Sequence, residues 1–178
     1  MSYIIIKIGG STLTNLHEST IEDIVQLKKQ GYKPLIVHGG GPFINQSLKL
    51  QGVTSEFKDG LRVTTDDVLS VTSQTLIGQV NPSLVNKINR FDIKSIGING
   101  MDAQLFDIVP LDPQYGFVGE PANIDVSVIE SLTDSFVPVI ASIGVLKQTG
   151  QIYNINADTL AYKLAQALNA PIYLLSDI

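Results

Sequence analysis

Cysteine is absent from the chain, and histidine is limited to His17 and His38 among 178 residues. Without cysteine neither a disulfide framework nor a thiolate metal site can form, and two histidines provide no metal-ligand spacing. Charged residues make up only 16%, with a net charge of −5. No block of Lys and Arg stands out, which argues against a nucleic-acid partner, because neutralising phosphates takes clustered cations. No apolar run approaches the ~20 residues of a membrane span, so no membrane partner is expected. The opening Met-Ser-Tyr-Ile-Ile-Ile-Lys lacks the apolar length and cleavage site of a signal peptide. A cytoplasmic protein is expected, and Asn45-Gln46-Ser47 is read as a chance sequon. Two nucleotide signatures are also missing. No glycine is followed by lysine, which excludes a P-loop, and no G-x-G-x-x-G occurs.

What the chain does have is 44% apolar residues, enough for a real core. Four short apolar runs, Tyr3–Ile6, Leu35–Val37, Val137–Ala141 and Ile172–Leu175, are continuous rather than alternating, as in strands buried on both faces of a parallel sheet. Between the first two lies a helix over 16–30, with Ile21, Ile24, Val25 and Lys28 on one face, acids early, lysines late, and Gly31 to stop it. A second helix runs from Pro42 to about Leu50. Asp59-Gly60 between two extended runs predicts a hairpin. Residues 65–89 read as one helix that Pro82 kinks or splits. Residues 104–110 and 115–120, around Asp112-Pro113, form a second predicted hairpin. Helices are expected over 125–132 and, with a strong apolar stripe, over 156–168. The alternation gives an α/β fold, a three-layer αβα sandwich with a mainly parallel central sheet and β-hairpin insertions.

Two glycine turns end the first two strands: Lys7-Ile8-Gly9-Gly10-Ser11 and His38-Gly39-Gly40-Gly41. On adjacent strands they would lie side by side. Glycines let backbone N–H groups approach a ligand, helix N-termini favour anions, and a lysine at one strand end suits a phosphoryl group. One isolated glycine run would be an ordinary tight turn; two, with a lysine, favour phosphate. Arg62 after the hairpin turn could clamp a carboxylate, although sequence alone favours an ordinary surface charge. In Asn154-Ile155-Asn156-Ala157-Asp158, Asn156 is a natural N-cap and Asp158 a first-turn acid; Asp158 could equally hold a catalytic lysine. His38 is read as support for its glycine turn, His17 as exposed, and Ser11 and Thr12 as capping or phosphate-contacting.

Lys7-Ile-Gly-Gly-Ser11, Val37-His-Gly-Gly-Gly-Pro42, Gly60-Leu-Arg-Val-Thr64, Gly78-Gln-Val-Asn81, Gly116-Phe-Val-Gly-Glu120, Ser142-Ile-Gly144, Tyr153-Asn-Ile-Asn-Ala-Asp158 and Leu174-Leu-Ser-Asp177 stand in one order. In that order, across essentially all 178 residues, the chain resembles the N-acetylglutamate kinases of the amino-acid kinase family. The resemblance implies an amino-acid kinase fold, a homodimer, and transfer of phosphate from Mg-ATP to the γ-carboxylate of N-acetyl-L-glutamate, a step of arginine biosynthesis, without a prosthetic group or a protein-held metal. Carried over by position, it makes Lys7, Asp158, Gly10 and Gly40 catalytic. Gly40, Gly41, Arg62, Asn154 and Asn156 hold the acyl amino acid, and Gly9, Gly10, Ser11, Ser176 and Asp177 belong to the nucleotide site. It makes residues 1–170 the acyl-amino-acid-binding and dimerisation lobe and residues 171–178 the start of a nucleotide lobe whose remainder, with a second catalytic lysine, is not in this chain. On that expectation the isolated chain is inactive.

Elementary chemistry agrees with the implied acceptor. A carboxylate with a reference pKa near ~4.3 is ionised at neutral pH and needs no general base. What such a reaction needs is alignment and neutralisation of two approaching anions. Three alternatives stay open at this level: a non-catalytic acyl-amino-acid-binding module, a kinase of the one-methylene-longer N-acetylaminoadipate, and a nicotinamide-dependent enzyme with an atypical glycine turn.

Overall fold

A computed structural model describes residues 2–176. In chain order the strands are β1 (Tyr3–Ile8), β2 (Lys33–His38), β3 (Phe57–Lys58), β4 (Leu61–Arg62), β5 (Ser95–Ile98), β6 (Asp107–Pro110), β7 (Val118–Ala122), β8 (Val137–Ala141), β9 (Ile143–Leu146), β10 (Gln151–Ile155) and β11 (Ile172–Leu175). The α-helices are α1 (Gly10–Thr14), α2 (Glu18–Lys29), α3 (Gly41–Leu50), α4 (Asp66–Thr75), α5 (Asn81–Ile88), α6 (Val126–Thr133) and α7 (Ala157–Leu168).

The four apolar runs are neighbours in one parallel sheet of order β11-β1-β2-β8-β5. Side chains alternate along a strand, and both faces here are apolar. Ile4, Ile6 and Ile8 of β1, Ile36 of β2, and Val137 and Val139 of β8 pack with Ile21 and Ile24 of α2 and Leu84 and Ile88 of α5. Ile5, Leu35, Val37 and Ile140 pack on the other side with Ile129 of α6 and Leu160 and Leu164 of α7. The result is the expected three-layer αβα sandwich. Its fifth strand, β5, was not foreseen, because Ser-Ile-Gly-Ile carries no continuous apolar run.

A second sheet, order β6-β7-β10-β9, stands apart from the first. The expected β6–β7 hairpin is present and antiparallel, with a single 3-10 turn at Pro113–Tyr115 between its strands. The β9–β10 hairpin beside it went unread. The β3–β4 hairpin forms as expected, with Asp59 and Gly60 both at positive φ (52° and 78°), the requirement of its two-residue turn. It is pinned to the second sheet. Thr64 N–H donates to Tyr115 O, Phe117 N–H donates to Thr64 O, and the Tyr115 hydroxyl donates to Asp59 Oδ2 at 2.7 Å.

Residues 66–88 are helical throughout, and of the two outcomes expected at Pro82 the segment is split. Between α4 and α5 lies a π-helical segment, Leu76–Val80, in which the Asn81 N–H donates to Leu76 O five residues back. Pro82 has no N–H for Gly78 O, so the preceding turn widens instead of bending. The second-helix start shifts to Gly41, one residue before Pro42. The first-strand glycines open a short helix of their own, α1, and the next helix starts at Glu18 with His17 as its cap, Nδ1 accepting from Ser19 N–H.

Candidate active site

β1 and β2 run parallel with Ile8 opposite His38, so both glycine turns leave the carboxyl edge of the sheet together. They touch. A Cβ on Gly10 would stand 2.6 Å from Pro42 Cδ and 2.9 Å from Gly41 N, closer than any side chain tolerates. In open α/β sheets ligands bind beyond this edge.

Lys7 shares the face of Ile5 and therefore points towards α7. Its Nζ lies 2.8 Å from Asp158 Oδ1, with the lysine side chain 15% exposed and the aspartate 59%. Asp158 sits in the first turn of α7, and Asn156 caps that helix by accepting the Thr159 N–H at 3.0 Å. Both sequence readings of this segment hold at once, capping and lysine pairing. The ion pair leaves the ammonium partly open at the mouth of the turns.

Behind the glycines a cleft of about 160 Å³ is lined by Gly39, Gly40, Gly41, Arg62, Asn154 and Asn156, with Phe57, Leu61 and Val118 among its apolar walls. The N-termini of α3 and α7 meet there, and the N–H groups of a helix's first turn favour an anion. Arg62 is not the surface charge that sequence favoured; it is buried. The β3–β4 register sets it across from Phe57, 4.7 Å from that ring's centroid. Its Nη1 donates to Ser55 Oγ (2.8 Å) and its Nη2 to Asn45 Oδ1 (2.7 Å). Burial draws its pKa down from the usual arginine value; the guanidinium stays charged. Among the described residues no carboxylate pairs with it. Asn154 joins it through Thr64, whose hydroxyl accepts from Asn154 Nδ2 (3.2 Å) and donates to Arg62 O (2.8 Å).

The nucleotide-side candidates lie on the other flank. Gly9 N–H donates to Leu175 O at 2.9 Å, and a Cβ on Gly9 would come 3.9 Å from Ser176 Cα, so Gly9, Gly10, Ser11 and Ser176 share the ends of β1 and β11. Asp177 lies outside the described residues.

A family model described as "Amino acid kinase family" matches residues 2–178. The chain belongs to that family. The kinase is 67% identical over all 178 residues to the acetylglutamate kinase of Staphylococcus saprophyticus, spanning 70% of that enzyme's length. It is 49% identical over the same span to the acetylglutamate kinase of Staphylococcus aureus strain JH9. Its fold superposes on the crystal structure of smu.665 from Streptococcus mutans UA159 with a TM-score of 0.94 at 32% identity, covering 99% of this chain and 73% of that one. At 20% identity it shares its fold with an N-acetylglutamate synthase of Neisseria gonorrhoeae (TM-score 0.79, covering 98% of this chain and 41% of that one).

Two residues of this kinase that sequence reasoning passed over contact the candidate site residues. Thr64, fully buried, couples Arg62 to Asn154. Asn81 contacts His38 behind the second glycine turn. Both stand in motifs on which the resemblance in the sequence was read, which was the one available signal; neither contact is local in sequence.

Proposed function

We propose that the kinase transfers the γ-phosphoryl group of Mg-ATP to the γ-carboxylate of N-acetyl-L-glutamate, giving an acyl phosphate. The observation that carries this reading is the buried, carboxylate-free Arg62 facing the glycine turns, with the Lys7–Asp158 pair at their mouth. Arg62 takes the α-carboxylate of the acyl amino acid in a bidentate grip. Asn154, Asn156, Gly40 and Gly41 supply polar contacts around it, and Phe57, Leu61 and Val118 supply apolar walls. That leaves the γ-carboxylate directed at the glycine turns. The carboxylate attacks phosphorus, the γ-phosphoryl oxygens receive the N–H groups of Gly10 and Gly40, and the bond to the ADP oxygen breaks. Lys7, held by Asp158, balances the charge shared between the two anions. No proton has to move, which suits a site whose buried histidine faces away from it.

ATP enters on the flank of Gly9, Gly10, Ser11, Ser176 and Asp177. Magnesium arrives on the nucleotide, as an ion that binds mainly phosphates and waters. Residues 1–170 act as the acyl-amino-acid half and residues 171–178 open the nucleotide half. The working unit is a homodimer in the cytoplasm, tested by light scattering across a concentration series. Calorimetric titration with N-acetylglutamate tests the substrate assignment. Saturable binding is expected, weakened by Arg62 substitution, and absence of binding to a folded protein rejects it. Titration with N-acetylaminoadipate beside it sets the chain-length preference, since one methylene is worth about 1–3 kcal/mol.

A further inference from the structure

The glycine turn after β2 is held from behind. His38 is fully buried and lies on the Ile36 side of β2, facing α5 and not the cleft. Its Nδ1 stands 2.8 Å from the Gly39 carbonyl oxygen. That oxygen can only accept, so Nδ1 carries the proton and Nε2 is the acceptor. Asn81 Nδ2 donates to Nε2 at 2.9 Å, and the second proton of the same amide goes to Val139 O of β8, also at 2.9 Å. The widened π turn ends at Val80, immediately before Asn81. Gly97 of β5 leaves the room: a Cβ there would overlap Asn81 Oδ1. Each proton along this series of bonds has one acceptor, and the direction is fixed from β8 outwards.

A trans peptide is planar, with its C=O and N–H antiparallel. Tying the Gly39 carbonyl to His38 therefore aims the Gly40 N–H the opposite way. Gly39, Gly40 and Gly41 line the cleft, and no backbone acceptor among the described residues takes that N–H. We infer that His38 and Asn81 are positioning residues, a relay from the Val139 carbonyl that locks the Gly39–Gly40 peptide and presents the Gly40 N–H to the transferring phosphoryl group. The purpose of the relay rests on the phosphoryl-transfer reading; its geometry does not. Burial holds the His38 ring neutral, its pKa drawn down to about 4 against the opposing pull of the Gly39 carbonyl, so the relay keeps one proton arrangement at neutral pH.

His38→Asn keeps an N–H donor near the place of Nδ1, whereas His38→Leu keeps bulk and loses the donor. The residual dipolar coupling of the Gly40 N–H reads the direction of that bond. Hydroxylamine trapping of the acyl phosphate reads turnover on N-acetylglutamate and Mg-ATP. In His38→Leu the Gly40 coupling is expected to change while that of Ile36 does not. Its kcat is expected to fall on the order of 10²-fold, the usual loss for one misdirected oxyanion donor, with KM moved less than about threefold. His38→Asn is expected to restore both. An unchanged Gly40 coupling in His38→Leu overturns the relay whatever turnover does, and a changed coupling with unchanged kcat overturns its role in the reaction. Turnover is read on the protein that carries the rest of the nucleotide lobe, where absence of acyl phosphate is failure of the phosphoryl-transfer reading instead, and the coupling still decides the relay. Should His38→Leu fail to fold, Asn81→Asp sets an acceptor against Nε2, and the imidazole ¹⁵N shifts are expected to show a proton there. An Nε2 that stays unprotonated overturns the relay.

Discussion

Replacing Arg62 by methionine separates stability from binding. Arg62 is 7% exposed and, among the described residues, its guanidinium is hydrogen-bonded only to the neutral Ser55 and Asn45 side chains. Both partners sit at the surface and return to water when the guanidinium is removed. A buried charge without a counter-ion is costly, and replacing buried ionic groups by apolar ones of similar size is often neutral or stabilising by about 1–4 kcal/mol. A bound carboxylate reverses the balance. At about 4 Å and an effective dielectric near ~20 the attraction is on the order of 4 kcal/mol. After desolvation a net loss of about 2–4 kcal/mol is expected, or roughly 30- to 1,000-fold weaker binding of N-acetylglutamate. Thermal unfolding with and without ligand measures both effects. At a ligand concentration about 100 times its Kd, the unsubstituted protein gains about 2.7 kcal/mol, a rise in Tm of about 5–11 °C for a domain of this size. At that same concentration Arg62→Met is expected to gain less than about 1 kcal/mol, while its ligand-free Tm stays level or rises. An equal ligand-induced shift in the variant refutes the carboxylate clamp. A ligand-free Tm lowered by more than about 5 °C refutes the premise that the unpaired charge is a cost.

In the full-length enzyme Lys7→Ala is expected to lower kcat by up to about a thousandfold, from an attraction on the order of 4 kcal/mol, with little change in KM for N-acetylglutamate; a main effect on KM rejects the role. His38 binds its proton more weakly folded, at about 4, than unfolded, at about 6.5, so its contribution to stability is whole above pH 6.5 and lost as pH falls to about 4. The difference between the unfolding free energies of the wild type and His38→Asn, from denaturant titrations, is expected to change across that window by about 3 kcal/mol, and a flat difference rejects it. Thr72 Oγ1 is buried on α4 with no hydrogen-bond partner among the described residues. Thr72→Val is expected to stabilise the protein by about 1 kcal/mol in denaturant unfolding, and a loss of stability would reveal a partner.

The main sheet was legible because β1, β2 and β8 are covered on both faces and leave continuous apolar runs, and the edge strand β11 keeps such a run although Tyr173 and Leu174 are exposed. β5 was not, since Ser95 and Gly97 are small for reasons of packing against α5, a contact no local pattern records. The second sheet was half legible: Asp112-Pro113 marks one hairpin, whereas β9 and β10 are short, partly exposed and lack a turn dipeptide. At the site, Lys7 and the glycines announced themselves by composition. Arg62 was weighed as a surface charge because burial of a lone cation depends on Phe57, Asn45 and Ser55 converging from its own hairpin, a helix and a loop. His38 and Asn81, 43 positions apart, meet only because the π turn inserts a wider step before Pro82, and no periodicity in residues 65–89 encodes that step.

The contact between Gly97 and Asn81 ties two positions that look independent in the sequence. A side chain at 97 evicts the Asn81 amide, and a smaller residue at 81 leaves the space above β5 vacant. Substitution at either place is therefore tolerable only together with the other, and related chains should either retain both residues or have exchanged both. Where both have been exchanged, the histidine behind the glycines has lost its tether, so the pair can be read as a tally mark for the tethered turn in any relative whose structure has not been solved.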